Sequence, residues 1–293
     1  MKFDVAIIGG GLSALVAGIS LQKEGRRTLI VSAGQSALHF FSGSFDLIAT
    51  DGSQLEAISQ LPAEHPYSKV GAQDVARLAA GVPAFFAEFG YTLEGEEDRN
   101  HARKTTFGGD KPCWLTVKTR KGVYPEQYPM SPLGIGLQVA LRKQFEKLGG
   151  TFLAGDTVTG GDFGKDGLEC IYTANHGYGR FEADNFILAS GSFFSGGLEA
   201  SQEKVFEPVF GLDVDYSGTR SDWFMNNTFE AQPYMKFGIH TDSDFKVSLG
   251  GNTVPNLYAV GSALSGCNAI KEGCGGGVAI ITALAVAEKI LGK

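Results

Sequence analysis

Residues Phe3–Val31 read FDVAIIGGGLSALVAGISLQKEGRRTLIV, and this stretch decides the fold. Phe3–Ile8 has the near-continuous apolarity of a buried parallel strand. It passes into Gly9-Gly10-Gly11-Leu12-Ser13-Ala14, a G-x-G-x-x-A arrangement. A helix follows in which Leu15, Val16, Ile19 and Leu21 fit one face and which Gly25 ends. Thr28–Val31 then reads as a second strand. In this setting Gly9 makes the turn, Gly11 lets a pyrophosphate approach the backbone, and Ala14 and Gly18 let the helix sit close to the sheet. The helix start at Leu12-Ser13 supplies free N–H groups and the positive end of a dipole to a phosphate. The pattern predicts a nucleotide or flavin site in a Rossmann-like α/β fold.

Composition narrows the rest. The 293 residues include 41 glycines, about twice the usual ~7%, which suits many tight turns and close backbone approaches. A formal net charge of −7 argues against a sequence-independent nucleic-acid binder. The apolar run Val5–Ile19 is broken by four glycines and is shorter than the ~20 residues a membrane span needs. The opening Met1-Lys2-Phe3-Asp4 does not read as a signal peptide, so a cytoplasmic protein with reduced thiols is expected. Cys113, Cys170, Cys267 and Cys274 lack C-x-x-C spacing and the five histidines are scattered, so the spacing predicts no metal site.

One element of a dinucleotide fingerprint is absent. The end of the second strand carries Ser32, then Ala33-Gly34-Gln35, where an acid would bond the ribose. Either Ser32 and Gln35 take over that contact or the adenosine half is held differently. Further along, Asp184–Gly191 (DNFILASG) is a strand ending in the small turn Ser190-Gly191, and Asn256–Gly261 (NLYAVG) is another, followed by Ser262. Gly275-Gly276-Gly277 opens a final apolar helix, Val278–Leu291. This late strand, glycine and helix resemble flavoenzymes, in which the helix N-terminus faces the flavin O2 and an acid holds the ribityl chain; Ser262 stands in the acid's place. Between these elements, Thr151–Ala154, Thr157–Thr159, Leu168–Thr173 and Arg180–Glu182 read as a β-meander around Gly-rich turns.

The segments Gln35–Leu47 (QSALHFFSGSFDL), Phe186–Gly197 (FILASGSFFSGG), Glu207–Asp213 (EPVFGLD) and Gly273–Gly277 (GCGGG) carry a family resemblance. Together they resemble the B subunit of the anaerobic glycerol-3-phosphate dehydrogenase. The resemblance implies a three-layer flavoprotein fold of the FAD/NAD(P)-binding type with a β-meander. It implies oxidation of sn-glycerol 3-phosphate to dihydroxyacetone phosphate, with electrons passing to a quinone. The implied partners are a catalytic A-type subunit and an iron–sulfur C-type membrane subunit, which would hold this chain peripherally on the inner membrane. FMN is the implied flavin, with FAD as the alternative. A stand-alone FAD-dependent reductase of a ketone or enone, and a flavin-binding scaffold without turnover, stay open.

Family members are longer than this chain in the middle. Residues 1–114 and 133–293 read as two parts of one flavin-binding domain, and residues 115–132 as a linker replacing a central region. A reduced substrate-side lobe is expected at about 198–255. Beyond the glycines and serines named so far, the loop Ser42-Gly43-Ser44 is expected to pass along the flavin ring. His39 on that loop is a candidate for flavin attachment or a loop histidine without a role. Arg220 is a candidate clamp for a substrate phosphate or a surface ion pair. Cys274 is either a modulator of flavin potential or a buried thiol.

Overall fold

A computed structural model describes residues 1–105, 108–118, 132–177 and 179–293. The chain opens with β1 (Lys2–Ile8), α1 (Leu12–Lys23) and β2 (Thr28–Ser32). β2 is buried along its whole length and β1 from Val5 onward, as their unbroken apolar runs require. Helix α1 departs from the one-faced pattern, since Ser13 through Ile19 and Leu21 are all buried. It lies against the sheet and between two more helices, α3 (Pro132–Lys147) and α4 (Gly275–Leu291), so no broad face is left for water. Gly18 makes this possible: a Cβ there would meet Ile30 Cδ1 at 2.9 Å and the Phe145 ring at 3.0 Å.

The main sheet has a parallel core of β1, β2, β3 (Thr151–Ala154), β6 (Phe181–Leu188) and β8 (Asn252–Ala259), in the order β8-β6-β1-β2-β3. Val5 pairs with Asn185 on one side and with Thr28 on the other. β7 (Lys246–Leu249) adds antiparallel to β8 at the edge. The meander is β4 (Val158–Gly164) and β5 (Gly167–Thr173), joined antiparallel to the first half of β6. Arg180–Glu182 and Asp184–Gly191, which read as separate strands, are therefore one strand. Its first residues pair with the meander, and Phe186–Leu188 pair with β8. Helices, parallel sheet and meander make a three-layer flavoprotein architecture.

The described residues of 44–118 form a lobe beside α4. Helix α2 (Ala72–Ala87) packs on α4. A small sheet joins Ser44–Phe45, Leu115–Val117 and Leu93–Glu94, and a hairpin pairs His101–Lys104 with Asp110–Cys113. Leu115–Val117 is thus a buried strand and not part of a linker. At the other end of the linker reading Pro132 already belongs to α3, and residues 119–131 lie outside the described residues.

Of the segment expected as a lobe at 198–255, residues 246–255 belong to β7 and β8 of the main sheet, and the rest is built from short two-stranded pairs and an edge-to-face cluster of Tyr216, Trp223 and Phe237. Its EPVFGLD motif is a pair of loop clasps. The buried Glu207 carboxylate accepts N–H bonds from Val209, Phe210 and Gly211 at 2.7–3.0 Å, and Asp213 accepts from Gly250 and Gly251. Burial pushes the Glu207 carboxyl up even against those donors.

Candidate functional site

A cleft of about 510 Å³ runs along the carboxyl ends of the parallel strands, where open α/β sheets place their ligands. The β1–α1 turn forms its floor. Gly9 has φ +116°, and a Cβ there would land on the carbonyl oxygen of Ala189. A Cβ on Gly10 would land on the Ser32 hydroxyl. Gly11 differs, because its nearest neighbour would be Ser36 Cβ at 3.7 Å, so the space above it belongs to the cleft. No side chain caps α1, and its first-turn N–H groups stand where an anion would use them.

Of the residues singled out from the sequence, Gly9, Gly11, Leu12, Ser13, Ser32, Gln35, Ser42, Ser44, Ser190, Gly191, Ser262, Gly275 and Gly276 line this cleft. Ala14, Gly43, Gly261 and Gly277 stand behind it. Gly261 closes on Ser13 and donates its N–H to Thr282 Oγ1 at 2.9 Å. Gly277 donates to the Asp46 carbonyl at 2.8 Å, so its N–H does not reach a ligand. His39 is half-buried and is not among the lining residues, although Leu38 and Phe40 on either side are. Arg220 lies outside the cleft, stacked 4.2 Å from the Trp223 ring centroid, with Nη1 donating to the Ser201 carbonyl.

Several lining residues carry no signature in sequence. At the strand end, Asp156 is 3% exposed and follows β3, with its N–H on the Ser32 carbonyl. Its carboxylate accepts from the Thr157 and Asn175 N–H groups and meets His176 Nδ1 at 2.7 Å. Burial pushes the Asp156 carboxyl up, but the hydrogen bonds from Thr173, Asn175, His176 and Thr157 outweigh it and hold the group below the ordinary carboxylate range. At the helix end, Asp46 pairs with Lys111 at 2.5 Å, beside the tilted Phe41 and Phe45 rings. Arg103 Nη1 donates to the Ser42 carbonyl and so fixes the same loop. Position just past a parallel strand could have marked Asp156. Lys111 reaches the site from a separate hairpin, which no local pattern reveals.

The cleft has the fittings of a flavin site. Ser190 Oγ and Asp46 Oδ1 are buried atoms of lining residues without a hydrogen-bond partner among the described residues. The void above Gly11 and the α1 start suit a phosphate, and Gly275 and Gly276 bring a second helix start to the far end. This combination defines a flavoprotein of the FAD-binding class, and the profile of an FAD binding domain matches residues 4–123 and 119–278. The chain belongs to the family of the anaerobic glycerol-3-phosphate dehydrogenase B subunit. It is 31% identical to the family member of Yersinia enterocolitica, over 99% of this chain and 98% of the relative. It is 30% identical to that of Actinobacillus pleuropneumoniae, over the full length of both. The Yersinia alignment runs over 417 positions, which this shorter chain can fill only with gaps. Among solved structures, E. coli quinol fumarate reductase shares the fold with a TM-score of 0.63 at 10% identity, covering 99% of this chain and 70% of that one. A flavocytochrome c3 fumarate reductase gives 0.61 at 9%, covering 99% and 78%. The profile describes an FAD site, so the comparison gives no support to FMN as the primary flavin.

Proposed function

We propose that this chain binds FAD along the cleft and serves as the flavoprotein B subunit of an assembly that oxidises glycerol 3-phosphate and delivers the electrons to a quinone. The observation that carries the reading is the continuity of one cleft from Asp156–Val158 past Gly11 to Gly275–Gly276. That reach suits a dinucleotide better than a mononucleotide. Gly11, Leu12 and Ser13 would hold the pyrophosphate. Ser32 and Gln35 would lie along the adenosine half, and Ser190, Gly191 and Ser262 along the ribityl chain. The bound flavin supplies a two-electron acceptor. The start of α4 and the Asp46–Lys111 pair set the charge at its ring end.

The names of the relatives support a multi-subunit setting. So do exposed apolar side chains near the 198–255 lobe and the cleft rim, including Phe194, Phe224 and Phe229. The partners proposed are an A-type catalytic subunit and an iron–sulfur C-type subunit, the latter holding the chain peripherally at the inner membrane. No helix among the described residues is long and apolar enough to cross a membrane. The two profile matches meet at 119–123, which favours loss of the family's central region at that point. Acid release and chromatography of the flavin tests the cofactor, with FAD expected; FMN or no flavin would overturn that part. Anaerobic addition of glycerol 3-phosphate tests the rest. Bleaching is expected only with the partner subunits present, and rapid bleaching of the isolated chain would show a self-contained active site.

A further inference from the structure

Beside the start of α4, three buried side chains that do not line the cleft come together, His65 from the 44–118 lobe and Cys267 and Cys274 from the loop before the helix. The ligating atoms of His65, Cys267 and Cys274 all lie within 4.8 Å of one another. His65 is fully buried, Cys274 fully buried and Cys267 6% exposed. His65 Nε2 has no hydrogen-bond partner among the described residues, although Glu272 Oε2 stands 3.3 Å away, outside hydrogen-bond alignment. The same carboxylate oxygen is 3.9 Å from Cys274 Sγ.

We propose that His65 Nε2, Cys267 Sγ, Cys274 Sγ and Glu272 Oε2 form a closed, four-coordinate site for a divalent cation of the zinc class. With metal–ligand bonds of about 2.0–2.3 Å, the ligand–ligand edges of a tetrahedron are roughly 3.3–3.8 Å. The His65–Glu272 N···O and Cys274–Glu272 S···O separations already stand near that range, and the three edges among His65, Cys267 and Cys274, all within 4.8 Å, need contractions of about 1.3 Å at most. Two thiols and a carboxylate facing a neutral imidazole are the donor types zinc favours.

The charges also close. Binding releases the two thiol protons, so two thiolates, one carboxylate and a divalent ion leave one net negative charge. Lys236 Nζ, 3.4 Å from Glu272 Oε1, offsets it. One contact must yield. His65 Nδ1 accepts the Tyr67 N–H at 3.1 Å, which places the ring proton on Nε2. A neutral ligating imidazole carries its proton on Nδ1, so metal binding exchanges that single hydrogen bond for the metal–nitrogen bond. The ligands on the 266–274 loop precede α4 directly, while His65 caps the short helix Pro66–Val70. A bound ion would therefore tie the helix start that lines the cleft to the 44–118 lobe. The inference does not depend on the flavin or on glycerol 3-phosphate.

The test uses the full chain, stripped with a chelator, reloaded with zinc chloride and desalted. About one zinc per chain is expected to remain, and cobalt(II) in its place should show thiolate charge-transfer absorption and tetrahedral d–d bands. Cys267→Ser with Cys274→Ser should lower metal retention at least about tenfold, and Cys113→Ser should not. Should the double variant not fold, alkylation of the unmodified chain decides. Zinc should slow labelling of Cys267 and Cys274 and leave Cys113 and Cys170 unaffected. A folded chain that retains neither metal, metal held undiminished by the folded double variant, or labelling of Cys267 and Cys274 indifferent to zinc would each overturn the site. Flavin content is read separately, so failure here leaves the flavin proposal standing.

Discussion

At the start of α1 a Cβ on Gly11 would face open cleft, whereas at the start of α4 a Cβ on Gly277 would land on the Tyr67 hydroxyl. Gly276 is intermediate, with Phe45 Cδ1 at 3.2 Å and the Asp46 N at 3.3 Å. Both helices begin in a run of three glycines, yet the first run leaves room for a ligand and the second admits the chain's own 45–47 loop. That loop takes the Gly277 N–H through the Asp46 carbonyl, and Tyr67 holds it from the other side by donating to the Leu47 carbonyl at 2.9 Å. A glycine run therefore marks close approach, but the approaching group can be ligand or polypeptide. Only the neighbours in space distinguish the two.

The largest effects should separate Gly9 from Gly11. Gly9→Val forces a β-branched residue to φ +116° and onto a backbone carbonyl, and should cost about 4 kcal/mol or more, enough to lose soluble protein. Gly11→Val should fold with a near-normal melting temperature and lose flavin affinity by at least about a hundredfold, roughly 2.7 kcal/mol. A yellow, folded Gly11→Val chain would break the assignment of this turn to phosphate. Next comes Gly277→Ala, whose methyl meets Tyr67 and should cost about 1–3 kcal/mol of stability. Adding Tyr67→Phe removes the obstructing hydroxyl, and the pair should show favourable coupling of about 1 kcal/mol in a denaturation cycle. Strictly additive losses would mean that Gly277 is constrained by something else.

A smaller effect is expected from Gly276→Asp, which adds negative charge at the end of the cleft where the proposed flavin would become anionic on reduction. Scaled from a helix terminus worth roughly 0.3–2 kcal/mol to an adjacent anion, the flavin midpoint should fall by about 10–40 mV. An unchanged potential in a loaded variant would mean that α4 does not face the ring. Last comes Asp156, away from both glycine runs. Its carboxyl is held below its unfolded value, so the stability it contributes is present above the unfolded pKa and is lost as pH falls through the folded one. Asp156→Asn should flatten the acid limb of the stability–pH curve and lower stability near neutrality by about 1–3 kcal/mol. An unaltered acid limb would remove Asp156 from that role.

Sequence revealed most where structure is local. β1, α1 and β2 fall within a residue or two of their expected bounds, because hydrophobic period and glycine spacing are short-range signals. β6 was harder to read. Its first half alternates, buried Phe181 and Ala183 with exposed Glu182 and Asp184, while Phe186–Leu188 are buried. One strand therefore carries the patterns of an antiparallel edge and of a parallel core in succession, and looks like two. That Gly9, Gly11, Leu12 and Ser13 line the cleft was legible for the same local reason, whereas Ser42, Ser44 and Ser262 were reached through the family resemblance. Asp46 with Lys111 and the separation of Gly277 from Gly275 and Gly276 were not legible, since each depends on a contact between elements distant in the chain; Asp156 offered only its place just past β3.

The double life of β6 also bears on how the polypeptide comes to be made. Lys2 pairs in register with Glu182, and Ile8 with Leu188. During synthesis β1 can close against β2 early, but its other edge stays unpaired until β6 has left the ribosome. For that interval an apolar strand edge is open to any neighbouring chain, the circumstance in which sheets pair wrongly and chaperones are recruited. Long-range parallel pairing of this kind also folds slowly. The strand that finishes the cleft floor thus sets a nascent-chain hazard, and recombinant yield of the unmodified chain should rise with slow synthesis and low temperature.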